Sequence, residues 1–196
     1  MYVLALVTQK GGSGKSTLAV GLAVAAMENG ERVAFVEADP QGTISKWKER
    51  RGSPFPRVVR VADPAEIEGA LVRLEAGGSG LRSSILPPRT MHWPCAPSRG
   101  PILPDPGASE SGRLAAIPTL IAIRRLSRRF AFVLNQTPPR GCRLNEAATS
   151  LNSLGVLALP YVGQRNDHQD ALGAGLGVTE FAQEGRASEE VREPGS

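Results

Sequence analysis

The residues with the clearest chemical meaning lie at 8–17, where the chain reads Thr-Gln-Lys-Gly-Gly-Ser-Gly-Lys-Ser-Thr directly after an apolar run from Val3 to Val7. Glycines allow backbone N–H groups to converge on an anion, and the N-terminus of a following helix adds its positive dipole end. A lysine after the last glycine reaches the outer phosphates of a nucleotide, and the next hydroxyl binds Mg²⁺. The spacing therefore predicts a phosphate-binding loop between a strand and a helix.

The segments that follow supply the elements needed to position this loop. Asn29-Gly30 is a pair suited to ending the helix that starts after the loop, and residues 33–36 predict a buried parallel strand. The apolar residues of that helix recur at helical spacing, at Leu18, Ala19, Leu22, Ala23 and Ala26.

An acidic segment follows the second strand, at residues 37–42, which read Glu-Ala-Asp-Pro-Gln-Gly. Carboxylates at the carboxyl end of a parallel strand lie beside the phosphate loop, where open α/β sheets bind ligands. This predicts that Asp39 lies near the bound phosphates; the alternative is that Asp39-Pro40 only forms a turn.

The loop departs from the ordinary P-loop at two positions, with Gln9 in place of the first glycine and an additional lysine at Lys10. This K-G-G-x-G-K-[ST] form resembles the deviant Walker A motif of the ParA/MinD ATPases. The Asp-Pro-Gln-Gly sequence from Asp39 to Gly42 is also similar to ParA. The resemblance covers residues 1–75 and about 114–186, and it is closest to the small ParA proteins of chromosome and plasmid partitioning.

The resemblance implies ATP and Mg²⁺ as cofactors and gives a role to individual residues. Lys15 would hold the β- and γ-phosphates, Lys10 would reach the nucleotide of a partner subunit, and Asp39 would position the attacking water. The metal would be held at Ser16 and Asp39, and Asn135, at the end of a later strand, would lie near the adenine. The implied nucleotide-binding residues are Lys10, Gly11, Gly12, Ser13, Gly14, Lys15, Ser16, Thr17 and Asn135.

A chain of 196 residues is long enough for one α/β domain, and strands alternate with amphipathic helices along it. The pattern predicts a doubly wound, mostly parallel sheet of the P-loop NTPase class with a disrupted or disordered central segment. We expect one P-loop ATPase domain over 1–186, interrupted by a proline-rich irregular segment at 82–112, and a flexible tail over 187–196. Among the late elements, a helix is predicted over Arg143–Ser153.

The segment 82–112 does not fit this pattern, because seven of its 31 residues are proline and eight are glycine or serine. A ParA-like ATPase should carry its second Mg²⁺-site aspartate here, at the end of a buried strand. Asp105 is the only acidic candidate near that position, and it stands between Pro104 and Pro106 with no predicted strand to present it. We therefore expect the sheet to lose one or two central strands.

A shifted reading frame offers an explanation for this segment. Starting at the third base of the Ser83 codon, permitted codons for 83–88 can be reread as Phe-Asp-Thr-Pro-Pro. Starting at the second base of the Pro104 codon, 104–110 permits Leu-Ile-Pro-Ala-Arg-Pro-Ser. Both are ParA-like motifs in the expected order. A genuine proline-rich insertion is the alternative.

Charge and hydropathy indicate which classes of binding partner to expect. The net charge is +4, and the arginine pairs at 124–125 and 128–129 either face nucleic acid or form a solvated helix face. The resemblance implies an ATP-dependent homodimer that binds DNA without sequence preference and a ParB-like adaptor that stimulates hydrolysis. No apolar run reaches transmembrane length and no amphipathic membrane helix closes the chain, so we expect a cytoplasmic, nucleoid-associated protein without a membrane partner. The alternatives are a catalytically impaired, non-enzymatic or misfolded remnant of such an ATPase and a MinD-like regulator of division-site placement.

Overall fold

The computed structural model describes residues 2–7, 12–63, 65–77, 81–85, 102–106, 120–121, 124–125, 130–138 and 142–192. Its strands are Tyr2–Leu6 (β1), Val33–Glu37 (β2), Arg57–Arg60 (β3), Leu81–Ile85 (β4), Ile102–Pro106 (β5), Ala131–Asn135 (β6) and Val156–Ala158 (β7). The helices are Lys15–Glu28 (α1), Thr43–Arg51 (α2), Glu66–Ala76 (α3), Cys142–Leu154 (α4), Asn166–Gly173 (α5), Val178–Phe181 (α6) and Arg186–Arg192 (α7).

The strands form one parallel sheet in the order β3-β2-β4-β1-β5-β6-β7. The chain leaves the central strand β1 toward one edge through β2 and β3, and later fills the other side with β5, β6 and β7. The direction of winding therefore changes at β1, and the carboxyl end of the strands at such a point is where open α/β sheets bind ligands. The sheet confirms the predicted α/β fold class.

Helices cover both faces of the sheet, as a doubly wound fold requires. On one face, Leu6, Phe35 and Val133 pack against α1 and α2 in a single buried cluster. On the other face, Ala34 and Val36 pack against α3, and Phe132 and Leu134 pack against α4. Alternate residues of β2 and β6 thus point to opposite layers, which is the period-two pattern of a strand buried on both sides.

The expectation that the sheet loses central strands is wrong at the described positions. β4 pairs with β1 on one side and with β2 on the other. β5 pairs with β6 along its length and with β1 at Leu6 and Ile102, so Asp105 does lie within a strand. Backbone N–H and C=O groups of flanking strands can hold an inner strand without an apolar periodicity in its sequence. The remaining residues of 82–112 lie outside the described residues.

The predicted flexible tail is also wrong over its first part. Residues 187–192 belong to α7, where Ala187 and Val191 are buried in a cluster with Ala25 of α1. These two apolar residues are four positions apart, so they share one face of the helix and bury it. The overall polarity of this stretch concealed that stripe. Residues 193–196 lie outside the described residues.

Candidate functional site

Two glycines shape the loop that precedes α1. Gly12 and Gly14 have φ angles of 74° and 75°, a conformation that glycine adopts without steric cost. A Cβ at Gly12 would have no atom of the described residues within 4 Å, so this side of the loop forms an open cradle among them. The first N–H groups of a helix have no partner within the helix, and those of α1 follow directly on this cradle. The backbone is therefore arranged to accept an anion.

Lys15 places a buried positive charge at this helix end. The residue is only 6% exposed. Burial lowers the pKa of its ammonium group below the usual value, and the nearby charge of Asp39 partly opposes that shift. Within the described parts of the chain, Lys15 forms no ion pair. A buried cation without a carboxylate partner is costly, and an anion bound in the cradle would offset that cost.

Two carboxylates at the carboxyl end of β2 have different roles: Glu37 is the last residue of the strand, and Asp39 lies two residues beyond it. Asp39 is partly exposed; its Oδ1 accepts the Gln41 N–H at 3.0 Å and its carbonyl accepts the Gly42 N–H at 3.1 Å. The turn that the sequence offered as an alternative is therefore present, and it leaves Asp39 close enough to act on the charge of Lys15. Asp39 thus lies two residues beyond β2, and its role toward a bound nucleotide stays a prediction.

The sequence did not predict a separate structural role for Glu37. Its carboxylate is 2% exposed and accepts the N–H groups of Ile44 at 2.7 Å and Ser45 at 3.0 Å, as well as the Ser45 hydroxyl. These are donors of the first turn of α2, which lacks a capping side chain at Gly42. Glu37 therefore anchors α2 and, with it, the turn that carries Asp39. Its signal in the sequence was an acidic residue within an otherwise apolar strand.

Asn135 joins the carboxyl end of β6 to the phosphate loop. Its Nδ2 donates to the carbonyl oxygen of Ser13 at 2.9 Å, and its Oδ1 accepts the Gln136 N–H at 3.0 Å. The side chain is buried, and a Cβ on Gly14 would come within 2.6 Å of Nδ2. Asn135 thus braces the loop, a contact that the sequence did not predict. Its expected role beside an adenine stays a prediction.

A cleft opens beside the loop on the α5 side. Its walls combine apolar side chains of Leu18 and Val162 with amide side chains, a mixture suited to an uncharged heterocycle with polar edges. The lining residues are Gly14, Thr17, Leu18, Asn135, Gln136, Val162, Gly163, Gln164, Arg165, His168 and Gln169. Sequence reasoning had found only Gly14, Thr17 and Asn135 among them.

His168 lies in the first turn of α5 and lines this cleft. The residue is buried. Burial lowers the pKa of its imidazole, with the negative charge of Glu190 opposing and the positive charge of Arg165 adding to the effect. Its Nε2 has no hydrogen-bond partner among the described residues.

The residues present fit a magnesium nucleotide. The cradle at Gly12, the buried ammonium of Lys15 and the buried Ser13 hydroxyl, which has no partner within the described residues, all suit a bound phosphate chain. No cluster of three His, Cys, Asp or Glu residues occurs in the described part of the chain. Mg²⁺ is usually held by one or two protein groups together with substrate phosphates, so Ser16 and Asp39 remain suitable. Lys10 and Gly11 lie outside the described residues.

The comparison with protein families gives this site its context. Residues 4–178 match the model of the CobQ/CobB/MinD/ParA nucleotide binding domain. The chain belongs to this family. The resemblance to ParA and MinD ATPases that the loop motif carried is confirmed, and nucleotide binding is the family's shared property.

Individual proteins that are similar to the chain agree with this family assignment. The chain is 26% identical to Maintenance of carboxysome distribution protein A of Halothiobacillus neapolitanus over 204 residues, covering 98% of this chain and 94% of that protein. It is 56% identical to the protein of the same name from Gloeobacter kilaueensis over 48 residues, 24% of this chain and 22% of that protein. The structure of the septum site-determining protein MinD of Pyrococcus horikoshii, complexed with Mg-ADP, superposes with a TM-score of 0.70 at 15% identity, covering 98% and 93% of the two chains. This last likeness shows a shared fold.

Two further features concern possible contacts with membranes and nucleic acids. In the described segments, no helix combines the length and apolar character needed to cross a membrane. Arg124 and Arg125 are exposed, and Arg124 Nη2 donates to the carbonyl oxygen of Leu154 at 2.5 Å. Arg128 and Arg129 lie outside the described residues.

Proposed function

We propose that the chain is a ParA-like ATPase that binds and hydrolyses MgATP in plasmid or chromosome segregation. The observation that carries the proposal is the buried ammonium of Lys15 at the start of α1, behind a glycine cradle and beside Asp39. A structural lysine would be paired or exposed, whereas this one is arranged for an anionic ligand. The names of the relatives, which concern the distribution of a cargo in the cell, support the same class of function.

Each residue of the site has a definite task in this proposal. Lys15 and the N–H groups that follow Gly14 hold the phosphates, and Ser16 supplies a hydroxyl to the metal. Asp39, fixed by its turn and by the anchoring of α2 through Glu37, orients the attacking water. Bound Mg²⁺ would neutralise charge that develops on the phosphates. Catalysis of this type consists mostly of positioning and charge stabilisation.

The cleft beside α1 receives the base and ribose. A phosphate chain held at Gly12–Ser16 would direct the rest of a nucleotide toward Asn135 and the segment 162–165. The apolar surface of Leu18 and Val162 suits the face of the base, and neighbouring amides and backbone groups suit its edge. In this proposal the loop binds the phosphates and the cleft binds the base and ribose, and the residues of both lie at one end of the sheet.

The proposal extends to assembly. ATP binding would promote a homodimer in which Lys10 reaches the partner's nucleotide, and the dimer would bind DNA without sequence preference in the cytoplasm, on the nucleoid. The exposed side chains of Arg124 and Arg125 support a phosphate-binding surface. A ParB-like adaptor would stimulate hydrolysis, and no membrane partner is expected.

The Lys10→Ala variant tests this assembly. We expect it to bind ATP as a monomer but to lose the ATP-dependent doubling of mass in light scattering with a non-hydrolysable ATP analogue. Lys46→Ala is the matched control, because Lys46 is exposed on α2 and its side chain has no hydrogen bond or ion pair among the described residues. Dimerisation of the Lys10 variant at the wild-type level would refute the role of this lysine in the partner's site.

DNA binding and turnover separate the proposal from its alternatives. DNA binding should require ATP, show no sequence preference and weaken steeply with salt, because phosphate contacts release counterions. If the wild-type chain bound ATP but did not hydrolyse it, the result would favour the catalytically impaired remnant. Nucleotide-dependent binding to lipid vesicles rather than DNA would favour the MinD-like regulator.

A further inference from the structure

The cleft wall is held by one carboxylate from the C-terminal helix. Glu190 Oε2 accepts the backbone N–H of Gly163 at 2.9 Å and the Nε–H of Arg165 at 3.3 Å, and Oε1 accepts from Arg165 Nη2 at 2.5 Å. The Glu190 side chain is 16% exposed and that of Arg165 is 31% exposed, so the carboxylate is mostly shielded from water while the guanidinium is partly exposed. The hydrogen bond to Glu190 also raises the pKa of the Arg165 guanidinium.

The wall is anchored alternately by backbone and by Glu190. The N–H of Val162 donates to the carbonyl oxygen of Leu134 in β6 at 2.9 Å, and the N–H of Gln164 donates to the carbonyl oxygen of Thr137, two residues beyond β6, at 2.9 Å. These bonds come from the backbone and survive any side-chain change. The intervening N–H of Gly163 and the guanidinium of Arg165 depend on Glu190 alone among the described residues.

The helix that carries Glu190 is also fixed to the helix of the phosphate loop. Val191, the next residue, packs on α1, where a Cβ at Gly21 would come within 3.4 Å of its side chain. Arg192 forms an ion pair with Glu28 at the other end of α1. The same short helix therefore contacts α1 and one wall of the cleft, and it can set the distance between them.

We propose that Glu190 is a positioning residue that holds the segment 163–165 in place as the base- and ribose-facing wall of the nucleotide cleft. The proposal rests on the proposed function of that cleft. Glu190 does not touch the ligand; it acts through Gly163 and Arg165. Loss of its charge should loosen the wall and leave the phosphate loop, which is built from Gly12–Ser16 and Asn135, unchanged.

Glu190→Gln tests this directly, because it retains the size of the side chain but presents an amide to two donors. Glu189→Gln is the matched control, since Glu189 is the exposed neighbour on the same helix and its side chain has no hydrogen bond among the described residues. Competition against a fluorescent ATP analogue gives the affinity of each chain for ATP and for inorganic tripolyphosphate. We expect Glu190→Gln to bind ATP about tenfold more weakly, with tripolyphosphate affinity unchanged.

The comparison of the two ligands separates the possible outcomes. Equal weakening for ATP and tripolyphosphate would show that Glu190 only supports the fold, and unchanged ATP affinity would show that the wall does not depend on it; either result overturns the inference. If wild-type chain bound neither ligand, the proposed function itself would fail. Arg165→Ala is the second variant: it keeps the bond to Gly163 and should show a smaller loss for ATP alone.

Discussion

Gly14→Ala is the substitution whose consequence can be worked out most fully. Alanine at φ 75° carries the cost of the left-handed region, about 1 kcal/mol. Its Cβ would also lie 2.6 Å from Asn135 Nδ2, so the asparagine must move. That movement breaks the 2.9 Å hydrogen bond to the Ser13 carbonyl, which is worth about 1 kcal/mol.

The two costs together predict a loss of about 2 kcal/mol in the free energy of unfolding, or a fall in Tm of about 4–8 °C for a chain of this size. Gly12→Ala is the matched control. Its φ of 74° carries the same backbone cost, but its Cβ would meet no atom within 4 Å in the described part of the chain. It should therefore lose only about 1 kcal/mol.

A double-mutant cycle with Asn135→Ala isolates the contact. Once Asn135 is truncated, the hydrogen bond is already absent and the added Cβ no longer meets the Asn135 amide; only the end of the flexible Gln136 side chain, at 3.2 Å, must still give way. The Gly14 and Asn135 substitutions should then be non-additive by about 1 kcal/mol, whereas those of Gly12 and Asn135 should be additive. Urea unfolding of the six chains, wild type included, measures this. Additivity in the Gly14 cycle would refute the bracing role of Asn135.

Three further predictions concern other parts of the molecule. Glu37→Gln should lower Tm by about 4–8 °C, because it places an amide against the N–H donors of α2 at a cost of about 2 kcal/mol; exposed Glu49→Gln should not, and equal Tm values for the two would contradict the anchoring. Burial lowers the pKa of His168 in the folded chain, so as the pH falls this imidazole is protonated in the unfolded chain before it is protonated in the folded one. The free energy of unfolding should fall as pH falls below about 6.5, and less so in His168→Gln, as urea unfolding at several pH values will show. Replacing residues 83–113 by the shifted-frame translation should raise MgATP turnover about a hundredfold; equal, DNA-stimulated turnover would mean a tolerated insertion.

The part of the site that the sequence predicts best is local. The strand, the glycine loop, α1 and Asp39 follow each other within 40 residues, and each has its own signal in residue type and spacing. Asn135 was found only through resemblance, and its bond to Ser13 joins residues 122 positions apart. Such a contact depends on how β6 and β1 come together in the sheet, which no short pattern encodes.

The two wrong predictions, a sheet without its central strands and a flexible tail from residue 187, have a common physical cause. β4 and β5 lack the apolar runs of the other strands, yet their neighbours provide backbone partners. In α7, the buried apolar residues Ala187 and Val191 pack an otherwise polar segment against α1. In both places, tertiary context outweighed local composition, and the same context gives Glu190 its position beside the cleft.

The central claim is that Lys15 holds the phosphates of a bound nucleotide, and calorimetric titration of the purified chain with MgATP tests it most directly. Wild type and the exposed-lysine control Lys46→Ala should bind with the same affinity, while Lys15→Ala should show no measurable binding and retain the wild-type circular dichroism spectrum. ATP affinity in Lys15→Ala equal to that of wild type would contradict the assignment of this loop as a phosphate site.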